Sequence, residues 1–439
     1  MDALGPYPGS GHIWAVAVSG GADSMALLLL AKRYAAMHHG HIVALTIDHQ
    51  LRPDSTAEAT QVAAWAKQHG IRHHILQWHH PPMKTHLQQQ AREARYKLLS
   101  TWCQQQGIWH LLFAHHAHDQ AETILMRQWY GSGIIGLAGM PMTRLWRQIR
   151  LLRPLLAIEP TALRSWLKTQ KQPWIEDPSN QANHYTRIRA RQLLTRSHPE
   201  VREQLLATAT LAARQRQEYE RQATTWMAQS LYLSPLGFIQ TNYHSFAMLG
   251  LEAQLLACSH ITMVIGGSDT PPRAASLLHL FKQWQHHPIG KRTLGGCIWQ
   301  WLRDGRLLVY REPCKIPSAI SLSPTSSLWW DQRFLITLAG TAPERNVVIA
   351  PLSPHWANQH RRELILLKFI PKAIIPTLPI VLYLDMVVAA PHISYYHDSF
   401  WNQALQIKFV PPRPLMGPVF QSMELCLGIN ACILKDVGE

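Results

Sequence analysis

The sequence predicts an α/β protein: a doubly wound, mostly parallel sheet in its first half, then two smaller domains of α/β or β-rich make-up. Three observations lead there. Between residues 13 and 130, short apolar runs alternate with amphipathic ones at roughly 30-residue intervals, the rhythm of parallel strands joined by right-handed helical crossovers. The first apolar run stops in a glycine-rich turn, "SGGADS", that opens directly into a helix. Downstream the rhythm gives way to Pro, Trp and short β-like runs, in a chain of 439 residues that has room for more than one core.

"IWAVAV" (13–18) reads as a buried strand and "SMALLLLAKRYAAM" (24–37) as the helix after it. "HIVALTID" (41–48) is a second strand, "TAEATQVAAWAKQHG" (56–70) a helix ending at Gly70, and "IRHHILQW" (71–78) a third strand. "THLQQQAREARYKLLSTWCQQQG" (85–107) is a long helix, "IWHLLFAHH" (108–116) a fourth strand and "DQAETILMRQWY" (119–130) the next helix. Residues 131–195 interrupt the pattern with Gly, Pro and basic residues, and 201–232 resumes as one long helix. "TPPRAASLLHLFKQWQHH" (270–287) is a helix with Pro near its start, and 291–312 is strand–turn–strand cornered at Asp304-Gly305. The Pro/Ser-rich stretch 313–327 reads as a linker. The expected domains are 1–215, 216–313 and, with the linker, 314–439.

With 47% hydrophobic and 16% charged residues, the chain is globular and not disordered. Its 42 Lys and Arg against 27 Asp and Glu leave a net charge of +15, which favours a polyanionic partner because cations near phosphates release condensed counterions. The six cysteines are scattered, with no Cys-x-x-Cys, a usage that suits buried thiols in a reducing compartment. The amino terminus has neither a basic nor an apolar leader region, and no apolar run reaches the roughly 20 residues of a membrane span. The expectation is a cytoplasmic protein with no membrane partner.

A strand ending in Ser19-Gly20-Gly21-Ala22-Asp23-Ser24 and running into a helix aims several backbone N–H groups, and the helix dipole, at one point. An anion is the natural occupant. The loop is not a Walker A motif, since no Lys precedes Ser24, so a metal must neutralise phosphate charge. Asp23 is the carboxylate for Mg²⁺, which takes few carboxylates together with phosphate oxygens. The plain structural alternative is a glycine-rich turn with Asp23 as a helix cap.

"SGGADS" after a strand resembles the PP-loop of the N-type ATP pyrophosphatases, with their adenine nucleotide alpha hydrolase-like fold. Later stretches resemble one branch of that superfamily, the tRNA(Ile)-lysidine synthetases: "DHQLRPDS" (48–55), "AREARYKLL" (91–99), "AHHAHDQAET" (114–123), "GSGIIGLAGM" (131–140), "RPLL" (153–156) and "WIEDPSNQANHYTRIRAR" (174–191). The resemblance is good over 13–335 and weak beyond. It implies ATP-dependent adenylation of the C2 carbonyl oxygen of the wobble cytidine in a CAU-anticodon isoleucine tRNA. Free lysine then displaces AMP through its ε-amine to give lysidine.

On that resemblance Ser19, Gly20, Gly21, Ala22, Asp23 and Ser24 cradle ATP, with His115 beside them. Asp23 and Asp119 hold Mg²⁺, and Glu122 holds the lysine ammonium or takes its proton; Asp23, Asp119 and Glu122 form the catalytic set. Asp119 and Glu122 lie three apart in a first helical turn, where carboxylates also occur simply as caps. Arg92 and Arg95 are expected on tRNA or on ATP phosphate, and Arg187 and Arg191 on tRNA, with a solvated helix face as the bland alternative. Three positions depart from the family pattern: His118 replaces an acid, Tyr130 an Arg and Ile188 an Asn. The competing functions are a tRNA thiolation enzyme with the same loop and an inactive tRNA-binding homologue. A homodimer is left open.

Overall fold

The computed structural model describes residues 1, 4–5, 12–50, 54–80, 87–176, 186–286, 289–338, 346–417 and 420–422. They divide into two compact units, the first Met1–Glu218 with Phe420–Ser422, the second Tyr219–Gly417.

The first unit contains β1 (Ile13–Ala17), α1 (Ala22–Met37), β2 (His41–Asp48), α2 (Ser55–Gln68), β3 (Arg72–Gln77), α3 (Leu87–Gln105) and β4 (His110–Leu112). It continues with α4 (Ala117–Trp129), α5 (Ile134–Leu137), β5 (Thr143–Trp146), β6 (Ile149–Leu152), α6 (Pro160–Thr169), α7 (Thr186–Arg196) and the start of α8 (Pro199–Ser230). The sheet order is β3-β2-β1-β4-β6-β5, parallel except for the edge strand β5. β1 is apolar on both sides because helices cover both faces of the sheet. Trp14, Val16 and Val18 pack with Met25 and Leu28 of α1 and Leu163 of α6. Ala15 and Ala17 pack with Tyr96, Leu99 and Cys103 of α3.

Chain order reverses between β1 and β4: β2 and β3 extend to one side, β4 and β6 to the other. That reversal opens a crevice beyond the carboxyl ends of β1 and β4, the place where such sheets take ligands. The doubly wound sheet expected from the sequence is thus present, with β4 cut to three residues. Its predicted continuation ends when His116 turns to cap α4.

The second unit holds a five-stranded antiparallel sheet, β7 (Leu231–Ser234), β8 (Phe238–Asn242), β9 (Gly290–Leu294), β10 (Cys297–Trp301) and β11 (Arg306–Arg311), in the order β7-β8-β11-β10-β9. Its helices are α9 (Tyr243–Ala247), α10 (Leu251–Gly266) and α11 (Ala274–His286). The predicted strand–turn–strand is three strands. Gly295 and Gly296, at φ 58° and 75°, make a second hairpin corner ahead of the one at Gly305.

The rest comprises β12 (Ile320–Leu322), β13 (Ser327–Trp330), β14 (Phe334–Leu338), β15 (Val347–Pro351), α12 (Pro354–Gln359), β16 (Pro379–Tyr383), β17 (Met386–Ala390), β18 (Tyr395–Tyr396), α13 (Ser399–Ala404) and β19 (Leu405–Phe409). They form the sheets β12-β15-β16-β17-β18 and β13-β14-β19. The stretch read as a linker therefore contributes a paired strand, β12. Residues expected in two domains share one core, with Phe238, Leu308 and Tyr310 among Trp330, Phe334 and Ile349. Gln421, expected in the last domain, instead bonds the first unit: its carbonyl accepts from the Met142 N–H at 3.0 Å and its Oε1 from the Thr143 hydroxyl at 2.7 Å. Among the described residues no helix is long and apolar enough to cross a membrane.

Candidate active site at the carboxyl ends of the strands

The loop after β1 is built so that its backbone stays bare. Gly20 has φ +87°, and a Cβ there would lie 2.7 Å from Ile175 Cδ1 and 2.9 Å from Val62 Cγ2, so only glycine fits. The Ile175 N–H donates to the Gly20 carbonyl at 2.9 Å and pins the turn from outside. Ser24 braces it from inside. Its hydroxyl donates to the Gly21 carbonyl (2.9 Å) and accepts from the Ser19 N–H (3.2 Å) and the Ser19 hydroxyl (3.3 Å). Gly21, the residue before α1, has no side chain to cap the helix, so the first N–H groups of α1 are left for a ligand. Beside the loop is a cavity of about 330 Å³ lined by Ser19, Gly21, Thr46, His49, Arg95 and Ile175, at the lower end of the size range for small-molecule sites.

Asp23, on the first turn of α1, faces α4 across the crevice. His116 stands between them, with Nε2 at 3.5 Å from Asp23 Oδ2 and at 3.5 Å from Asp119 Oδ2. Its ring is oriented by a capping box: Nδ1 accepts from the Asp119 N–H (3.4 Å), while Asp119 Oδ2 accepts from the His116 N–H (3.1 Å). With Nδ1 accepting, the ring proton sits on Nε2, toward both carboxylates. Burial opposes charging His116. The hydrogen bond with Asp23 and the charges of Asp119, Asp23 and Glu122 outweigh it and hold the pKa above the ordinary imidazole value.

The other oxygen of Asp23, Oδ1, is buried and has no hydrogen-bond partner. A hard cation shared with phosphate oxygens would satisfy it, so the residues present fit Mg²⁺. Among the described residues no three His, Cys, Asp or Glu side chains form a metal cage of their own.

The α4 side of the crevice is already paired. Arg187 of α7 donates through Nη2 to Asp119 Oδ1 (2.7 Å) and through Nε to Glu122 Oε2 (2.8 Å). Arg191, one turn on, donates through Nε to Glu122 Oε1 at 2.6 Å. Glu122 is 1% exposed, and its two arginines compensate its charge. The carboxylates and arginines were expected in separate tasks; the fold brings all four together.

His115 points elsewhere. Burial, then the charges of Arg153, Arg95, Arg187 and Arg92, push its pKa well below the ordinary value, so it is neutral, and its Nδ1 has no partner. Arg95 lies over the Phe113 ring and lines the cavity, while Arg92 lies over Tyr96. Of the departures, His118 Nε2 is 3.1 Å from Glu159 Oε2 and Tyr130 donates to the Thr186 hydroxyl at 3.4 Å. The Ile188 side chain lies outside the described residues, as do 177–185. Sequence reasoning took His115 and His116 as a pair and assigned the site to His115, and it passed over His49, Thr46 and Ile175. For His116 a signal was there to read: a polar cap three residues before Asp119. For Ile175 there was none, because it reaches Gly20 from 155 positions away.

Residues 6–198 match the family described as the PP-loop domain. The tRNA(Ile)-lysidine synthase of Wolbachia sp. subsp. Brugia malayi is 35% identical over 347 residues, 77% of this chain and 79% of that relative. The chain belongs to the tRNA(Ile)-lysidine synthase family. Family members from Orientia tsutsugamushi and Rickettsia prowazekii are 29% and 30% identical, each over 90% of this chain and over 92% and 93% of their own lengths. Among solved structures, the U34-tRNA thiolase NcsA of Methanococcus maripaludis overlaps 48% of this chain and 74% of its own, at 15% identity and a TM-score of 0.41.

Proposed function

We propose that the chain ligates lysine to C2 of the wobble cytidine in CAU-anticodon tRNA(Ile), with ATP as the activating substrate. Family membership gives the reaction, and one observation of geometry supports its placement: Asp23 at the loop and Asp119 on α4 both reach His116 across the switch point of the sheet.

The reaction has two steps. The cytidine C2 carbonyl oxygen attacks the α-phosphorus and pyrophosphate leaves. The lysine ε-amine then attacks C2, AMP departs, and the amine gives up a proton. Ser19, Gly20, Gly21, Ala22 and Ser24 form the ATP cradle in this reading, donating main-chain N–H groups in advance of the charge that develops on the phosphates. Asp23 would hold Mg²⁺ through its unpartnered oxygen, joined by Asp119 once Arg187 releases its Oδ1, and the ion would supply the positive charge that the lysine-free loop lacks. Glu122 is assigned to the lysine ammonium. Its two guanidinium partners occupy the place such a cation takes, so lysine binding exchanges one cation for another.

The thiolation alternative lacks a thiol to relay sulfur. Cys103, the only cysteine before residue 219, is fully buried, and burial pushes its thiol up to about 12. Incubation with ATP, Mg²⁺, radiolabelled lysine and a CAU-anticodon transcript tests the proposal. Lysine in the RNA with stoichiometric AMP is expected; tight binding of tRNA without AMP release would instead identify an inactive homologue.

A further inference from the structure

A second charged cluster adjoins the cavity. Arg92 Cζ lies 5.3 Å from the centre of the Tyr96 ring, with Nη2 3.4 Å from the phenol oxygen. Arg95 Cζ lies 5.3 Å from the Phe113 ring, itself 5.4 Å from Tyr96. Arg144 Cζ lies 5.1 Å from Trp146, which is 5.3 Å from Tyr96. The fourth guanidinium is the least expected. Arg153 is 3% exposed, donates through Nη1 to the Pro141 carbonyl at 2.8 Å, and leaves its Nε buried with no partner.

Among the described residues Arg92, Arg95 and Arg153 have no carboxylate within ion-pair distance. Buried cations are normally paired, and a guanidinium with an unsatisfied N–H is a costly thing to bury. Planar forks massed around one aromatic ring match the geometry of a phosphate, which accepts two parallel N–H bonds from each. Burial disfavours ionising the Tyr96 phenol, yet Arg92, Arg153, Arg95 and Arg144 together bring its pKa below the ordinary value, a measure of the positive potential there.

We propose that Arg92, Arg95, Arg144 and Arg153 form a phosphate-binding subsite around Tyr96, next to the loop cavity. It rests on the proposed function for its two phosphate sources: the pyrophosphate end of ATP and a phosphodiester of the tRNA. Arg95 joins the subsite to the cavity, whereas Arg92 opens it to solvent.

The test uses full-length Arg144→Gln and Arg153→Gln, with inorganic pyrophosphate titrated by calorimetry and tRNA by filter binding across a salt series. A loss of about tenfold in pyrophosphate affinity, with tRNA affinity within twofold, supports the subsite and assigns it to ATP. A weaker tRNA affinity, with the salt slope reduced by about one, supports it and assigns it to the RNA backbone. If both affinities stay within twofold in a folded Arg144→Gln protein, the subsite is overturned. Should Arg153→Gln fail to fold, Arg92→Gln replaces it in the same titrations. A wild-type protein that transfers no lysine, while the variants still lose phosphate affinity, removes the functional reading and leaves the subsite standing.

Discussion

The two sides of the crevice carry the same kind of charge and treat it in opposite ways. At the loop, Asp23 leaves one buried oxygen without any partner and Gly21 leaves the helix start uncapped. At α4, both carboxylate oxygens of Glu122 and of Asp119 are taken, by Arg187, Arg191 and His116. One side is open and needs a cation brought with the substrate. The other is closed by cations the protein supplies itself, and it must release them to admit a ligand. The difference teaches that a pair of carboxylates in one pocket is not one functional unit: what each can bind is set by what already neutralises it.

The largest effect is expected on the open side. Asp23→Ala should lower AMP formation by about a hundredfold or more while tRNA affinity stays within about twofold, because phosphate charge is then uncompensated. Radiolabelled ATP and filter binding read the two quantities separately. Next comes the closed side. Glu122→Gln removes the negative charge shared by Arg187 and Arg191 and should lower stability by about 2 kcal/mol, less than for a fully buried pair because both arginines are partly exposed. The lysine KM should rise about tenfold with the ATP KM little changed, in steady-state assays.

A third substitution sharpens the packing claim. Gly20→Ala meets Ile175 and Val62 and needs a positive φ, so it should cost about 2 kcal/mol and raise the ATP KM. Adding Ile175→Ala should recover part of the stability but not all, since the φ strain remains.

The smallest effect concerns pH. Burial first, then Arg95, lowers the pKa of His49 in the open-side cavity to about 4; burial does the same at His73, aided by His74, and at His110, aided by Arg150. Between the ordinary value of 6.5 and 4, the unfolded chain takes up protons that these folded imidazoles refuse. The contribution of these three imidazoles to stability is therefore full above pH 6.5, falls as pH drops through that window, and levels off near 4. His49→Gln should flatten part of the fall in melting temperature between pH 7 and 5, measured calorimetrically.

How much of this could be read in the sequence follows from how local each cause is. β1, its turn and α1 were legible because an apolar run, two glycines and a helical run are consecutive in the chain. The sheet was legible because its connections repeat. β12 was not, because Pro and Ser dominate its surroundings and its pairing partner, β15, begins 25 residues later. Arg187 and Arg191 were found as a basic pair, but their partners lie 65 and 69 positions earlier, and nothing in spacing reveals which carboxylate a cation will meet. Choosing His115 over its neighbour shows the same limit. Both follow one strand, and only the turn that caps α4 decides that His116 faces the carboxylates.

The division into an open and a closed side is tested most directly by pyrophosphate release from Glu122→Gln with tRNA and ATP but no lysine. Activation belongs to the loop side, so release should proceed at close to the wild-type rate, with lysine transfer lost when lysine is added. Release abolished as completely as in Asp23→Ala would contradict the account, because the two sides would then be a single site.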